Sequence, residues 1–462
     1  MTSEHTAPER PMKKSKSAIF GPGLSALGLA RTRLQLPNAF TPASVQSNRL
    51  ALLLVSLDIT TGGLTGRGPE IGKEGVLVPC PAEPGHVRQL ECLSLAAEVQ
   101  GLYAGVHGGY QVLAAVDSVG NARMLASALP AASSPSSSLP LGGLSVSDHG
   151  GSGLDDGGGD RHLLCLDARS RGEAGWTGLA LRTMQGQHSA EAGAAAAAEG
   201  GGDGGGQGLP ALEVAVARQR RRDVSIFRDG AHCRTLHMTQ GPTALTYLPT
   251  GSSDPAGGLL AVAEEHQVTL WDVRQGEQGG CVQRLGVYGG GSSVLAMSWV
   301  AAAGQPGGGM LACTGAERSV VVLEPRKWQV SNKWPGCVKY PATHMAASAA
   351  APGYVYVAGL DYECVAGRWD GSSGGSTGNS NSTSGGHGRA TGPQQLLAAA
   401  GDEGQEGSGS RAGLSFRGDS KWLGLKVLAV PPTHAGGSCS DLVAALSQSG
   451  NLFVLQAAAA AV

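Results

Sequence analysis

Apolar residues come in short, strand-length runs separated by tight polar turns, and no segment sustains a 3.6-residue period. Six stretches share one plan: an apolar strand, a short polar turn, then a second strand ending near a large residue. In order they are YQVLAAVDSVGNARML, ALEVAVARQRRRDVSIFRD, GLLAVAEEHQVTLWD, GMLACTGAERSVVVLE, GYVYVAGLDYECVAGRWD and DLVAALSQSGNLFVLQ. Each reads as a β-hairpin. LALLLVSL, from Leu50, is the most apolar run and has the length of a strand.

Three segments break the pattern: 129–160, 186–208 and 371–410, all rich in Gly, Ser or Ala. Such side chains bury little surface, so these segments are expected to be disordered insertions. The large residues closing the six hairpins are Leu125, Phe227, Trp271, Leu323, Trp369 and Leu455. With the insertions set aside they recur about every 45 residues, the period of a four-stranded propeller blade. The expected fold is all-β: a single β-propeller of six to seven four-stranded blades spanning 46–462, after a largely disordered tail over 1–45. A propeller must close, because an open end leaves unpaired strand edges. RLALLLVSLDI, Arg49 to Ile59, is the expected closing strand or part of a seventh blade. The insertions are expected between the first and second counted blades and between the fifth and sixth.

The repeat resembles the WD-repeat family, whose blades tend to open with Gly-His and end their third strand with Trp-Asp. Trp271-Asp272 and Trp369-Asp370 match, and Gly85-His86 matches once, ahead of an alternating strand. Phe227-Arg228, Leu323-Glu324 and Leu455-Gln456 are degenerate forms. The resemblance implies a protein-interaction scaffold in a multi-subunit complex. In VTLWDVR, Arg274 follows two residues after Asp272. This is similar to the WD-x-Arg box of substrate receptors of cullin-RING ubiquitin ligases, where the Arg would contact the ligase adaptor; a solvated or intra-blade Arg is the competing reading.

Composition narrows the classes. Of 462 residues, 74 are Gly, 41% are hydrophobic and only 15% charged, with a net charge of -2. No global basic field therefore draws the chain to nucleic acid or anionic lipid. The nine cysteines have no CxxC spacing, and the N-terminus lacks a secretory h-region. A cytoplasmic or nuclear protein with reduced cysteines is the expectation, with no membrane span.

Candidate chemistry is sparse. IGKE at Ile71 fails as a P-loop, because Arg67 stands in place of Gly and Glu74 in place of Ser or Thr. Histidines are dispersed, and Glu264-Glu265 reads as solvated charge in a hairpin turn. No catalytic, cofactor-binding or metal-binding residues are assigned, and no enzyme activity is expected. Two basic segments could bind a partner. RQRRRD places Arg220, Arg221 and Arg222 at a hairpin tip, as a phosphate contact, an import signal or simply a charge that discourages edge pairing. RKWQVSNKWPGCVKY interleaves Lys327, Trp328, Lys333 and Trp334, as a stacking surface or as rings packed between blades.

Overall fold

The computed structural model describes residues 24–33, 50–56, 70–71, 77–78, 80–81, 88–95, 99–107, 110–128, 161–166, 174–184, 211–249, 258–275, 280–289, 291–301, 308–369, 412–430 and 439–459. Every regular element among them is a strand. Six precede the first complete blade: β1 (Leu24–Arg33), β2 (Leu50–Ser56), β3 (Glu70–Ile71), β4 (Leu77–Val78), β5 (Cys80–Pro81) and β6 (Arg88–Leu95).

Five blades follow, each an antiparallel meander. Blade 1 is β7 (Val99–His107), β8 (Tyr110–Asp117), β9 (Ala122–Ala128) and β10 (Arg161–Leu166). Blade 2 is β11 (Thr177–Thr183), β12 (Leu212–Arg218), β13 (Asp223–Arg228) and β14 (Ala231–His237). Blade 3 is β15 (Pro242–Tyr247), β16 (Leu259–Glu264), β17 (Gln267–Asp272) and β18 (Cys281–Gly286). Blade 4 is β19 (Val294–Ala301), β20 (Gly309–Gly315), β21 (Val320–Glu324) and β22 (Gln329–Trp334). Blade 5 is β23 (Ala342–Ala347), β24 (Tyr354–Gly359), β25 (Glu363–Arg368) and β26 (Ala412–Arg417). Blade 6 has β27 (Trp422–Val430), β28 (Ser440–Ser447) and β29 (Asn451–Ala459).

The fourth strand of blade 6 comes from the other end of the chain. β1 pairs antiparallel with β29, from Leu24 opposite Ala459 to Arg33 opposite Asn451. The closing strand thus lies inside the segment expected to be a disordered tail. β2, the expected closing strand, pairs instead with β6 in a separate two-stranded sheet. β4 adds in parallel to the outer edge of β26, and β5 to that of β1. Short pieces of residues 70–81 therefore cover the outermost strands of blades 5 and 6, which would otherwise present unpaired backbone groups.

First strands of consecutive blades lie side by side, which places them around the axis and makes the fold a β-propeller. All six sequence-derived hairpins are the second and third strands of blades. Each is buried on both faces because its sheet is sandwiched between neighbours, and β12 and β16 are buried at every position. The hydrophobic core is accordingly divided among blade junctions. Val112, Val116 and Val214 join blades 1 and 2; Ile226, Leu260 and Trp271 join 2 and 3; Leu270, Leu311 and Leu323 join 3 and 4. Val322, Trp334 and Val355 join 4 and 5, and Tyr356, Phe416, Trp422 and Phe453 join 5 and 6. Glycine makes room for one of these indoles: a Cβ on Gly367 would stand 2.2 Å from the Trp334 ring. Such junctions resemble repeat stacking, where no blade has a core of its own.

Outer strands are more exposed and carry little apolar pattern, as in AHCRTLH of β14 and QVSNKW of β22. The insertions also depart from expectation. Residues 129–160 fall between β9 and β10, 186–208 between β11 and β12, and 371–410 between β25 and β26. They interrupt blades rather than separate them.

Candidate functional site: the short-turn end of the propeller

An antiparallel meander sends its connections to alternate ends. First-to-second and third-to-fourth connections share one end of the ring, while second-to-third and blade-to-blade connections share the other. All three insertions therefore leave from the first of these ends. The opposite end is built from short turns, and hydrogen bonds between adjacent blades lock it. Thr239 N and Gln240 N, in the blade 2 to blade 3 connection, donate to Glu264 Oε2 at 2.8 and 3.0 Å. Arg318 Nη1 donates to Lys339 O at 3.2 Å, and Leu360 N donates to Pro341 O at 2.7 Å. Gly418 N donates to Tyr362 O at 2.7 Å. The second-to-third turns need a left-handed residue. Gly120 and Gly450 supply it in blades 1 and 6, whereas Arg222, Glu265 and Arg318 adopt φ of 54°, 55° and 58° in blades 2 to 4.

Buried charge in this fold ties strands together within blade 2 and, at Glu264 and Asp441, ties one blade to the next. Glu264 is fully buried, correcting its reading as solvated turn charge. Besides the two amides it accepts Thr269 Oγ1 at 2.6 Å, and Thr269 in turn accepts Trp271 Nε1 at 3.0 Å. Its neighbour Glu265 is exposed. Arg218 donates to Asp223 through Nε and Nη2, at 2.7 and 3.0 Å, and to Ser225 Oγ. Arg182 and Arg228 converge on buried Glu213 at 2.8 and 2.7 Å. Asp441, also fully buried, takes Ala349 N and Ala350 N on Oδ1 at 2.8 Å each, with Ser348 Oγ and Tyr356 Oη on Oδ2. Desolvation beside the Asp441 carboxylate pushes the Tyr356 hydroxyl well above the usual phenol range. Each of these carboxylates is occupied by structural donors and so is unsuited to acid–base work.

The Trp-Asp residues take structural places. Trp271 is buried between blades 2 and 3, and Trp369 between blades 4 and 5. Asp272 closes the turn after β17: its Oδ1 accepts Arg274 N at 3.0 Å and Arg274 Nε at 2.9 Å, and its Oδ2 accepts Arg274 Nη2 at 3.0 Å. This fork holds the Asp272 carboxyl below its usual range and raises the guanidinium of Arg274. Asp370, Gly85 and His86 lie outside the described residues. The strand that GHVRQLECLSL supplies is β6, partner of β2; the first strand of blade 1 is β7, which sequence reasoning passed over.

The two basic segments are not one surface. Arg220, Arg221 and Arg222 sit at the short-turn end, with Arg220 and Arg222 exposed. RKWQVSNKWPGCVKY runs the full height of blade 4. Lys327 and Trp328 stand at the insertion end, with Trp328 against the blade 3–4 core at φ 52°. Lys333 reaches the short-turn end and pairs with Glu317 at 2.9 Å, while Trp334 is buried in the blade 4–5 core. The indoles therefore pack between blades and form no common stacking platform.

Along the axis, the first strands carry two notable basic groups. Burial pushes the His344 imidazole down to about 4; a hydrogen bond with the Leu423 backbone opposes this, and Lys421 and Lys426 add to the fall. His344 Nδ1 also lies 2.9 Å from Thr343 Oγ1. Lys426 is exposed to solvent, and desolvation lowers the pKa of its ammonium. Among the described residues no group of three or more His, Cys, Asp or Glu is placed to hold a metal ion. Cys313, Cys337 and Cys364 are buried and their thiols are raised by burial, Cys337 to about 12. Such thiols are poor nucleophiles.

No family model matches the sequence, and no curated protein matches it. Among solved structures, Sqt1 of Saccharomyces cerevisiae is similar at 9% identity over 84% of this chain and 77% of that one, with a TM-score of 0.46. A likeness at that level adds no argument, and the fold rests on sheet order, register and blade-to-blade cores. On those observations the chain is a β-propeller whose third blade closes its third strand with the Trp-Asp pair seen in WD repeats.

Proposed function

We propose that this chain is a non-enzymatic protein-interaction scaffold and that partners dock on the short-turn end of the ring. The observation that supports the reading is the division between ends. Every long insertion leaves from one end, while the other is a rigid surface of interlocked turns that displays exposed cationic and large apolar side chains. Rigid scaffolds with exposed loops suit recognition, because binding then costs little ordering entropy.

The test is affinity purification with mass spectrometry on three proteins: wild type, an Arg220→Glu/Tyr362→Ser double variant at the short-turn end, and a chain lacking 371–410. Partners should be lost with the double variant and kept with the deletion. Partners retained by the double variant and lost with the deletion would move the docking surface to the insertion end and overturn the proposal. The ligase-receptor alternative carries an added cost here, because Arg274 would have to share or exchange Asp272 to grip an adaptor. Localisation to cytoplasm or nucleus is part of the same proposal, and imaging of a tagged chain reads it directly.

A further inference from the structure

Large apolar side chains exposed on a folded surface gain significance when they cluster. Of the eight exposed large apolar side chains among the described residues, four, Tyr340, Leu360, Tyr362 and Leu423, at 42% to 47% accessible, lie at the short-turn end of blades 5 and 6. Their backbones are stitched together. Leu360 N binds Pro341 O, next to Tyr340, and Gly418 N binds Tyr362 O. Trp422, which precedes Leu423, donates its Nε1 to Glu363 O at 3.1 Å. These hydrogen bonds bring the segments that carry the four side chains together at one end of the ring.

Charge surrounds that patch asymmetrically. The acids near it are occupied from within. Asp361 Oδ1 caps Glu363 N at 3.1 Å, and Glu363 Oε2 accepts Lys339 N at 3.2 Å. Asp419 is held by Arg31, Ser449 and Asn451. The cations are exposed. Lys421 is exposed, and Lys339 places its Nζ 5.5 Å from the centre of the Tyr340 ring. Arg318 is exposed and reaches the carbonyl of Lys339.

We propose that this patch binds an acidic, extended peptide segment of another protein, with one or two large apolar side chains seated on Leu360, Tyr362 and Leu423 and flanking carboxylates facing Lys339 and Lys421. The inference deepens the scaffold reading and rests on it. A peptide fits better than nucleic acid. Two of the four apolar groups are leucines, which offer no ring face to a base but pack well against an apolar side chain of a peptide.

The experiment is selection from a random dodecapeptide phage library on the immobilised full-length chain. Enriched peptides are then resynthesised and their affinities measured by fluorescence polarisation. The expected result is an acidic consensus around a fixed apolar position. Leu360→Ser/Tyr362→Ser should weaken it at least tenfold. Lys339→Glu/Lys421→Glu should weaken it similarly and should prefer a charge-reversed version of the peptide. Lys327→Glu, at the opposite end, should leave it unchanged. Melting curves verify that each variant folds. Enrichment of basic or uncharged peptides, no enrichment, tighter binding of a single-stranded oligonucleotide, or affinity undiminished in both patch variants would each overturn the inference. If binding survives the patch variants but is lost with Arg220→Glu/Arg222→Glu, the short-turn end is the docking surface and only its assignment to blades 5 and 6 fails.

Discussion

Asp441 gives the sharpest test of how adjacent blades are coupled. Its carboxylate lies at the start of β28 in blade 6, but three of its four donors, Ser348 Oγ, Ala349 N and Ala350 N, belong to the β23–β24 turn of blade 5, and the fourth, Tyr356 Oη, to β24. Asp441→Ala leaves two amides and two hydroxyls without their acceptor, and the hydroxyls, on buried Ser348 and Tyr356, have the least access to water in its place. Hydrogen bonds to a charged group contribute about 1.5–3 kcal/mol each, but four that share one acceptor are not additive. We expect a loss of about 4 kcal/mol, the size found when one partner of a buried charged network is removed. Asp441→Asn should cost much less, about 1–2 kcal/mol. An asparagine oxygen in the Oδ1 position still accepts both amides, and its NH2 can donate to the Ser348 and Tyr356 oxygens once those hydroxyls rotate. Equilibrium urea unfolding followed by tryptophan fluorescence measures both values, and Trp422 in the adjoining core is a local reporter. An Ala variant within about 1 kcal/mol of wild type, or an Asn variant as damaged as Ala, would refute the idea that this carboxylate joins the two blades.

Trp271→Ala should cost about 3–5 kcal/mol, since it leaves a cavity in the blade 2–3 core and removes the indole donor to Thr269 Oγ1; an unchanged melting temperature contradicts this. Replacing 371–410 by a short turn should leave a folded ring, because Gly367 and Ala412 already face each other in register and closure entropy varies slowly with loop length; loss of cooperative unfolding would show otherwise. His344, neutral in the folded state down to about pH 4, should make the protein less stable as pH falls from about 6.5 toward 4, where the unfolded chain takes up a proton that the folded one does not. The loss should approach about 2 kcal/mol after allowance for its partial contact with solvent, and His344→Gln should flatten that part of the pH–stability curve; an unaltered slope refutes the assignment.

The hairpins were legible because second and third strands are buried on both faces, so their sequences read as continuous apolar runs. β7 was not legible. VQGLYAGVH, with its small residues and a Tyr103–His107 side-chain contact at 2.7 Å, lacks the apolar density of the hairpins. Outer strands such as AHCRTLH show no pattern because solvent, not packing, sets their composition. β1 was overlooked because LSALGLARTR pairs with β29, more than 400 residues further along the chain, and no local signal records that. The same holds for Glu264 beside Glu265. The two are chemically identical, and only strand pairing, with Glu264 opposite Gln267 in β17, turns one inward and the other out. The exposed patch of blades 5 and 6 was invisible for a related reason: Tyr340 comes from the connection before β23, Leu360 and Tyr362 from the β24–β25 turn, and Leu423 from the start of β27.

Closure by β1 also sets a clock. Leu24 meets Ala459, so β1 must wait for β29 to be made. At about 5–20 residues per second, synthesis of the intervening chain takes roughly 20–90 s. Throughout that interval β1 has no β29 to pair with and is a free edge in a crowded setting. Its sequence suits the wait. Arg31 and Arg33 put two positive charges in the last three positions of a ten-residue strand, enough to discourage pairing with a stray chain. Once the ring shuts, Arg31 finds Asp419 and lies over the Phe453 ring, so a group that guards the unfinished chain becomes a tie in the finished one.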